Sequence, residues 1–330
     1  MSDATPGAGG RIPLTLVTSP HLHSYWTTSR LMWAVVLCLL PSLGAGLVFF
    51  GLRSLALVAA AILGAAGSEW AIQRWRKQPF SLWDGSAVLT GLLLALVLPP
   101  RLPLPMAVLG GVVSIGLGKA VYGGLGMNIF NPALVGRAFL QAAFPVAMTS
   151  WVANRLAVDT VSSATPLALV KFREPGLAAA ELAPPLKALF LGTTPGSLGE
   201  TSALALLLGG AVLLVLRIAN WRIPLAMTLG ALALGGGLWL ADPVLWPHPL
   251  FHLLAGGFLL GALFMATDLA TSPMTPGGMW IFGFGAGFLT VLIRLFGGLP
   301  EGVMYSILIM NSTVPLLNRW TRPRIFGAPR

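Results

Sequence analysis

Residues 110–140 read GGVVSIGLGKAVYGGLGMNIFNPALVGRAFL. A glycine-spaced apolar run leads into a glycine turn, an Asn-Pro break and a second apolar run that carries one arginine, Arg137. The order recurs in residues 282–320, FGFGAGFLTVLIRLFGGLPEGVMYSILIMNSTVPLLNRW. Each copy has a glycine-spaced apolar helix, then GGL beginning at Gly123 or Gly297, then an Asn-containing apolar segment ending near a basic residue. Upstream of each, another apolar run breaks at a proline-containing turn, VLPPRLPLP (97–105) and ATDLATSPMTP (266–276).

Composition says what these runs are for. The 330 residues are 56% hydrophobic and 9% charged, with a mean hydropathy of +0.83, where soluble domains carry about 25% charged residues. Apolar runs approaching 20 residues mark crossings of a hydrocarbon core about 30 Å thick. About ten such segments are expected, at 31–51, 54–71, 82–98, 104–122, 131–148, 202–218, 224–241, 249–266, 279–296 and 302–317. The fold class expected is an all-α polytopic membrane protein of about ten transmembrane helices in two five-helix repeats, 30–148 and 202–318. An odd number of crossings per copy inverts the second copy, an arrangement that places a pocket near the midplane in transporters.

Orientation follows from the basic residues. With residues 1–29 as a cytoplasmic lead-in, twelve Lys and Arg fall on the cytoplasmic side and seven on the other, four of these in the long connection 149–201. Long connections orient weakly, so both termini, including the basic tail 319–330, are expected in the cytoplasm and 149–201 outside. The lead-in has no apolar core and no cleavage signature of a signal peptide.

Several function classes are excluded or disfavoured. The net charge of +10 is dispersed singly between apolar runs, so no basic stripe for nucleic acid is present. Cys38 is the only cysteine, which removes disulfides and Cys-ligated iron–sulfur clusters within the chain. His21, His23, His248 and His252 are too scattered for a metal site. No catalytic triad, carboxylate pair or HExxH motif stands out, so a cofactor must carry any chemistry. At membrane depth, Asn128, Asn131 and Arg137 either line a polar ligand or ion path, or cap a broken helix and neutralise carbonyls; the residues alone leave both readings open. Asp84 and Asp268, at helix ends, read as caps.

One polar interruption remains. Residues 159–166 read DTVSSATP, a hydroxyl-rich segment in the external connection. Together with SPHLHSYWTTSRLMWAVVLCLLPSL near the start and GGLGMNIFNPALVGRAF, it resembles the D subunit of the Rnf ion-translocating electron-transport complex and the related B subunit of the sodium-pumping NADH:quinone oxidoreductase. The resemblance runs from about residue 15 to 325. It implies covalent FMN, joined through a phosphoester to Thr165 by a flavin transferase that uses FAD, with Asp159, Ser162, Ser163 and Ala164 completing the acceptor motif. Ser163 stands where Gly is commoner in Rnf-type sequences. An exposed, flexible loop is expected around Thr165. A second, non-covalent riboflavin is implied in the core, with Asn128 and Asn131 as candidate surroundings. The implied function is electron relay coupled to ion transport, in an NADH:ferredoxin oxidoreductase of the bacterial inner membrane. The chain is not catalytic alone. Its implied partners are the flavoprotein G subunit, the A and E membrane subunits, the NADH-side C subunit and the ferredoxin-side B subunit. The alternatives are a urea-transporter-like solute channel, which shares the inverted five-plus-five plan, and the quinone-reducing relative.

Overall fold

The computed structural model describes residues 26–151, 164–173 and 178–323, and every regular element among them is helical. The first half holds α1 (Thr28–Phe50), α2 (Arg53–Trp75), α3 (Ser86–Leu96), α4 (Leu104–Ile115), α5 (Pro132–Ala143) and α6 (Pro145–Thr149). The connection holds α7 (Pro166–Lys171), α8 (Ala179–Leu182) and α9 (Leu186–Leu191). The second half holds α10 (Ala203–Val215), α11 (Arg222–Ala241), α12 (Pro249–Leu254), α13 (Phe258–Leu260), α14 (Pro276–Phe296) and α15 (Val303–Trp320). A π-helical turn extends α4 through Gly116–Ala120, and another extends α13 through Gly261–Met265.

Each apolar run of the sequence is helical, but the helices differ in length. α1, α2, α11 and α14 have 23, 23, 20 and 21 residues and are apolar enough to cross a membrane. The others are shorter or interrupted. Run 82–98 opens as a 3₁₀ turn (Leu82–Asp84) and is α-helical only from Ser86 to Leu96. The run at 249–266 is split into α12, α13 and a π turn. Large apolar side chains such as Leu37, Leu63, Leu240 and Ile281 face outward, as they do where the solvent is lipid rather than water.

Two backbone-close seams organise the halves. Gly111 of α4 lies against α2, where an added Cβ would come within 2.5 Å of the Ala61 carbonyl oxygen. Gly287 of α14 lies against α11, where an added Cβ would run into the Met227 carbonyl oxygen. Small residues permit such approach, and packing and not water drives it inside a bilayer. Most buried apolar side chains form one continuous core, and Leu167, Val170, Ala179, Leu189, Phe251 and Ala255 form a second, smaller one under the connection.

Two expectations need correction. Lys119 and Arg294 entered the twelve-to-seven tally although they fall inside the expected runs 104–122 and 279–296, and both are buried within helical turns; one leaves each side of the tally, so the bias keeps its sign. The connection is not a free loop where it is described, because α7 and α9 seat in the smaller core.

Gly287→Ala forces a methyl group into the Met227 carbonyl, and overpacking of this kind costs about 1–3 kcal/mol. It is expected to lower sharply the yield of monodisperse protein on size exclusion in detergent. Gly67→Ala, on α2 with open space around it, is expected to match the parent.

Candidate functional site

Thr165 is the N-cap of α7. Its backbone is extended (φ −66°, ψ 154°), Pro166 fills the first helical position, and Oγ1 accepts the Ala168 N–H at 3.2 Å, as Thr-Pro pairs do at helix starts. Ala164 is exposed but Thr165 is buried. The difference from the exposed loop expected of the sequence has a local cause: Leu167 and Val170 sink into the smaller core and draw the cap in with them. Lys171 fastens the other end of α7 by donating to the Ile293 and Leu299 carbonyls, at 3.3 and 2.8 Å. Asp159, Ser162 and Ser163 lie outside the described residues.

Thr165 shares a recess of about 20 Å³ with Thr194, Ser197, Glu200, Thr201 and Glu301. That volume suits about one water molecule. Behind the recess lies Arg137 of α5, buried and bonded to two acids. Its Nη1 donates to Glu200 Oε1 at 3.2 Å and its Nη2 to Glu301 Oε2. Burial pushes the Glu200 carboxyl above the usual carboxylate range, against the pull of Arg137. The two partners lie 63 and 164 residues away in sequence, so this cluster joins both halves and the connection. Of the roles open to Arg137, ion pairing is the one the structure shows; the residue that meets carbonyls is Arg294, which donates to the oxygens of His252 and Ala255.

The asparagines face backbone. Asn131 Oδ1 accepts the Ala133 and Leu134 N–H groups, capping α5, and its Nδ2 donates to the Met265 carbonyl at 3.2 Å. Asn128 accepts the Gly126 N–H and donates to the Phe130 carbonyl within its own turn. Asp84, one residue before the N-cap Gly85 of α3, accepts the Ser86 N–H at 2.7 Å, and His248 Nδ1 caps α12. Among the described residues no group of His, Cys, Asp and Glu is placed to hold a metal.

Sequence reasoning missed three features. One is the pair of acids on Arg137; with only ten Asp and Glu in the chain, Glu200 and Glu301 at the mouths of apolar runs were the signal. Another is a buried pair near the opposite ends of the helices, where Lys119 Nζ meets Glu69 Oε1 at 2.6 Å and Ser86 Oγ at 2.7 Å. Two opposite charges inside predicted spans pointed to it. The third is a cavity of about 510 Å³ along α7, lined by Lys171, Arg173, His252 and Arg294 among apolar and aromatic side chains.

Comparison with known proteins bears on the whole chain. A family model described as the NQR2, RnfD, RnfE family matches residues 15–327. The chain is 44% identical over 326 residues to the D subunit of the proton-translocating ferredoxin:NAD(+) oxidoreductase complex of Clostridium ljungdahlii, covering 96% of this chain and 97% of that one. It is 43% identical over 323 residues to the D subunit of the Na(+)-translocating ferredoxin:NAD(+) oxidoreductase complex of Acetobacterium woodii, covering 96% of both. It is 42% identical to the D subunit of the ion-translocating oxidoreductase complex of Stutzerimonas stutzeri, covering 91% of this chain and 92% of that one.

Arg137→Leu leaves Glu200 and Glu301 facing an apolar side chain, and removing one partner of a buried ion pair costs about 3–5 kcal/mol. The melting temperature of the detergent-solubilised protein is expected to fall. The triple change Arg137→Leu, Glu200→Gln, Glu301→Gln is expected to recover part of the loss, because no unpaired charge remains.

Proposed function

We infer that this chain, which belongs to the NQR2, RnfD, RnfE family, is the D subunit of an ion-translocating ferredoxin:NAD(+) oxidoreductase complex in a bacterial cytoplasmic membrane. The observation that carries the reading is end-to-end similarity to proteins named as that subunit. The ion differs between two of those names, so the similarity supports ion transport in general. The other membrane, flavoprotein, NADH-side and ferredoxin-side subunits are its partners in this reading.

The helical segments are ten crossings in two inverted five-helix repeats with a urea-transporter-like plan. What supports this is the parallel between halves. Each packs its second helix on a glycine-faced partner, α2 on α4 and α11 on α14, and each buries a cation, Lys119 or Arg294, just before GGL. Both termini are cytoplasmic and the connection is external, as the basic bias indicates.

Thr165 carries FMN as a phosphoester. Its Oγ attacks the flavin-side phosphorus of FAD, the pyrophosphate bond breaks, AMP leaves, and the hydroxyl proton passes to a base on the transferase. The residues present fit such a group with one condition. The hydroxyl sits at the head of a short helix beside the exposed Ala164, yet its recess is too small for a phosphate. The phosphate and the flavin body would therefore lie outside this recess. When bound, the flavin supplies electron transfer. The non-covalent riboflavin belongs to the same proposal, in which Asn131, engaged by three backbone groups, serves as scaffold.

Mass spectrometry of the tryptic peptide Leu156–Lys171, from protein co-expressed with a flavin transferase, is expected to show the added mass of FMN. Thr165→Val is expected to abolish it and the in-gel flavin fluorescence while leaving the protein in the membrane. An unmodified peptide from the parent refutes the flavin assignment.

A cysteine placed at Ala178 is expected to react with a membrane-impermeant maleimide from the periplasmic side. Reaction confined to inside-out vesicles refutes the orientation.

A further inference from the structure

We propose that the face at which α10 and α15 end and α11 and α14 begin is a binding surface for anionic phospholipid headgroups. It lies at the far end of α10 from Glu200 and the recess of Thr165. The packing puts these helix ends on one side of the membrane. α11 and α14 run parallel, because Gly283 packs on Ile223 and Gly287 on Met227. Both are long and apolar enough to cross a membrane, so their first turns share one boundary with the headgroups. α10 delivers Arg217 to that boundary through the short link into α11. α15 returns to the same level, where the Thr275 and Thr321 hydroxyls are hydrogen-bonded and the Met274 N–H donates to Asn318 Oδ1 at 3.0 Å. Arg319 and Arg322 stand on either side of Thr321 in the chain, and both are exposed.

Rings and charge identify the class of partner. Trp221 is 52% exposed and Trp320 73%, as aromatic side chains are at the headgroup level. Trp221 meets Trp280 edge to face with centroids 6.1 Å apart, and the Arg222 guanidinium carbon lies 5.2 Å from the Trp221 ring centroid. A guanidinium held over a ring keeps N–H groups free for the paired oxygens of a phosphodiester. No carboxylate answers this charge. Among the described residues Arg217, Arg222, Arg319 and Arg322 form no ion pair. Asp268, in the segment leading to α14, is half-buried and accepts the Thr271 hydroxyl at 3.0 Å. Clusters of this size at the ends of membrane helices select anionic lipid, each cation contributing about fivefold in affinity. A zwitterionic headgroup offers the same phosphodiester but adds an ammonium that finds no carboxylate here.

The general excess of cations on one side of a membrane protein does not account for the backbone at Arg217. Its φ is +56°, in the region that favours glycine. The Ile218 N–H closes onto the Leu213 carbonyl at 3.0 Å, and a helix end closed in this way usually has glycine at the position Arg217 fills. The chain gives up backbone ease there and gains a cation at the headgroup level.

The test titrates the full-length chain in detergent with phosphatidylglycerol, or with phosphatidylcholine of the same acyl chains, and reads bound lipid by native mass spectrometry. The parent is expected to hold phosphatidylglycerol the more tightly. Arg217→Gly is expected to lower that affinity about fivefold while holding or raising the melting temperature, because glycine relaxes the turn. Arg319→Gln with Arg322→Gln is expected to lower it roughly 25-fold. Trp221→Leu is expected to lower it about threefold, and Trp221→Phe, which keeps a ring under Arg222, to restore most of the loss. Arg101→Gln with Lys187→Gln removes two exposed cations outside this surface and is expected to match the parent. Equal affinity for the two lipids overturns the proposal, as does unchanged phosphatidylglycerol affinity in both arginine variants. Displacement of the lipid by an equal concentration of inorganic phosphate overturns it in favour of a free anion. An assembled complex that retains no phosphatidylglycerol, where the isolated chain does, overturns it in favour of another subunit.

Discussion

A backbone group freed inside hydrocarbon has no water to turn to, and the helix breaks of this chain are arranged around that constraint. α3 stops at Leu96, and the carbonyls of Leu96 and Leu98 accept the N–H groups of Gly199 and Leu198, at 2.8 and 3.2 Å. The Met265 carbonyl, at the end of the second π turn, accepts Asn131 Nδ2, and the Thr271 carbonyl beyond it accepts Asn311 Nδ2. The carbonyls that α12 leaves open, at His252 and Ala255, accept the Arg294 guanidinium. Every one of these donors comes from a segment distant in sequence. The interruptions and the tertiary structure therefore stand together, since a break without its donor leaves a bare carbonyl in an apolar core.

The same arrangement ties the candidate site to the core. The segment whose Leu198 and Gly199 close the break after α3 continues directly into Glu200, which holds Arg137, and Thr201, which lines the recess of Thr165. Ser42 of α1 also reaches this segment, donating to the Gly199 carbonyl at 2.7 Å. A displacement of that stretch would move the acid, the recess and the helix break at once. The surroundings of Thr165 are thus set by α1, α3 and α5 as much as by the connection itself.

Much of this was legible in the chain, and the limits have physical causes. Apolar runs announce helices because the pattern is local, and Asn131-Pro132 announces a cap because both residues act within one turn. Arg137 was visible as a charge inside a run. Its partners were not, because an ion pair across 63 or 164 residues leaves no periodic trace. The burial of Thr165 escaped for a related reason. DTVSSATP reads as polar loop, and only the docking of Leu167 and Val170 beside Phe251 turns Thr165 inward. Helix lengths were overestimated where composition stays apolar past the last hydrogen-bonded turn, as at Val97 and Leu98.

The two π turns bear on how such a chain can change over time. Their wide closures, Val121 N–H to the Gly116 carbonyl at 3.1 Å and Ala266 N–H to the Gly261 carbonyl at 2.7 Å, each accommodate one residue more than α winding needs. Winding the same residues as regular α-helix would rotate everything downstream by about 100°. In the first turn this would swing Lys119 off Glu69 and misalign Asn131 with Met265; in the second it would shift Met265 itself. The extra residues act as phase setters. At these two places the winding of the chain is as constrained as its chemistry.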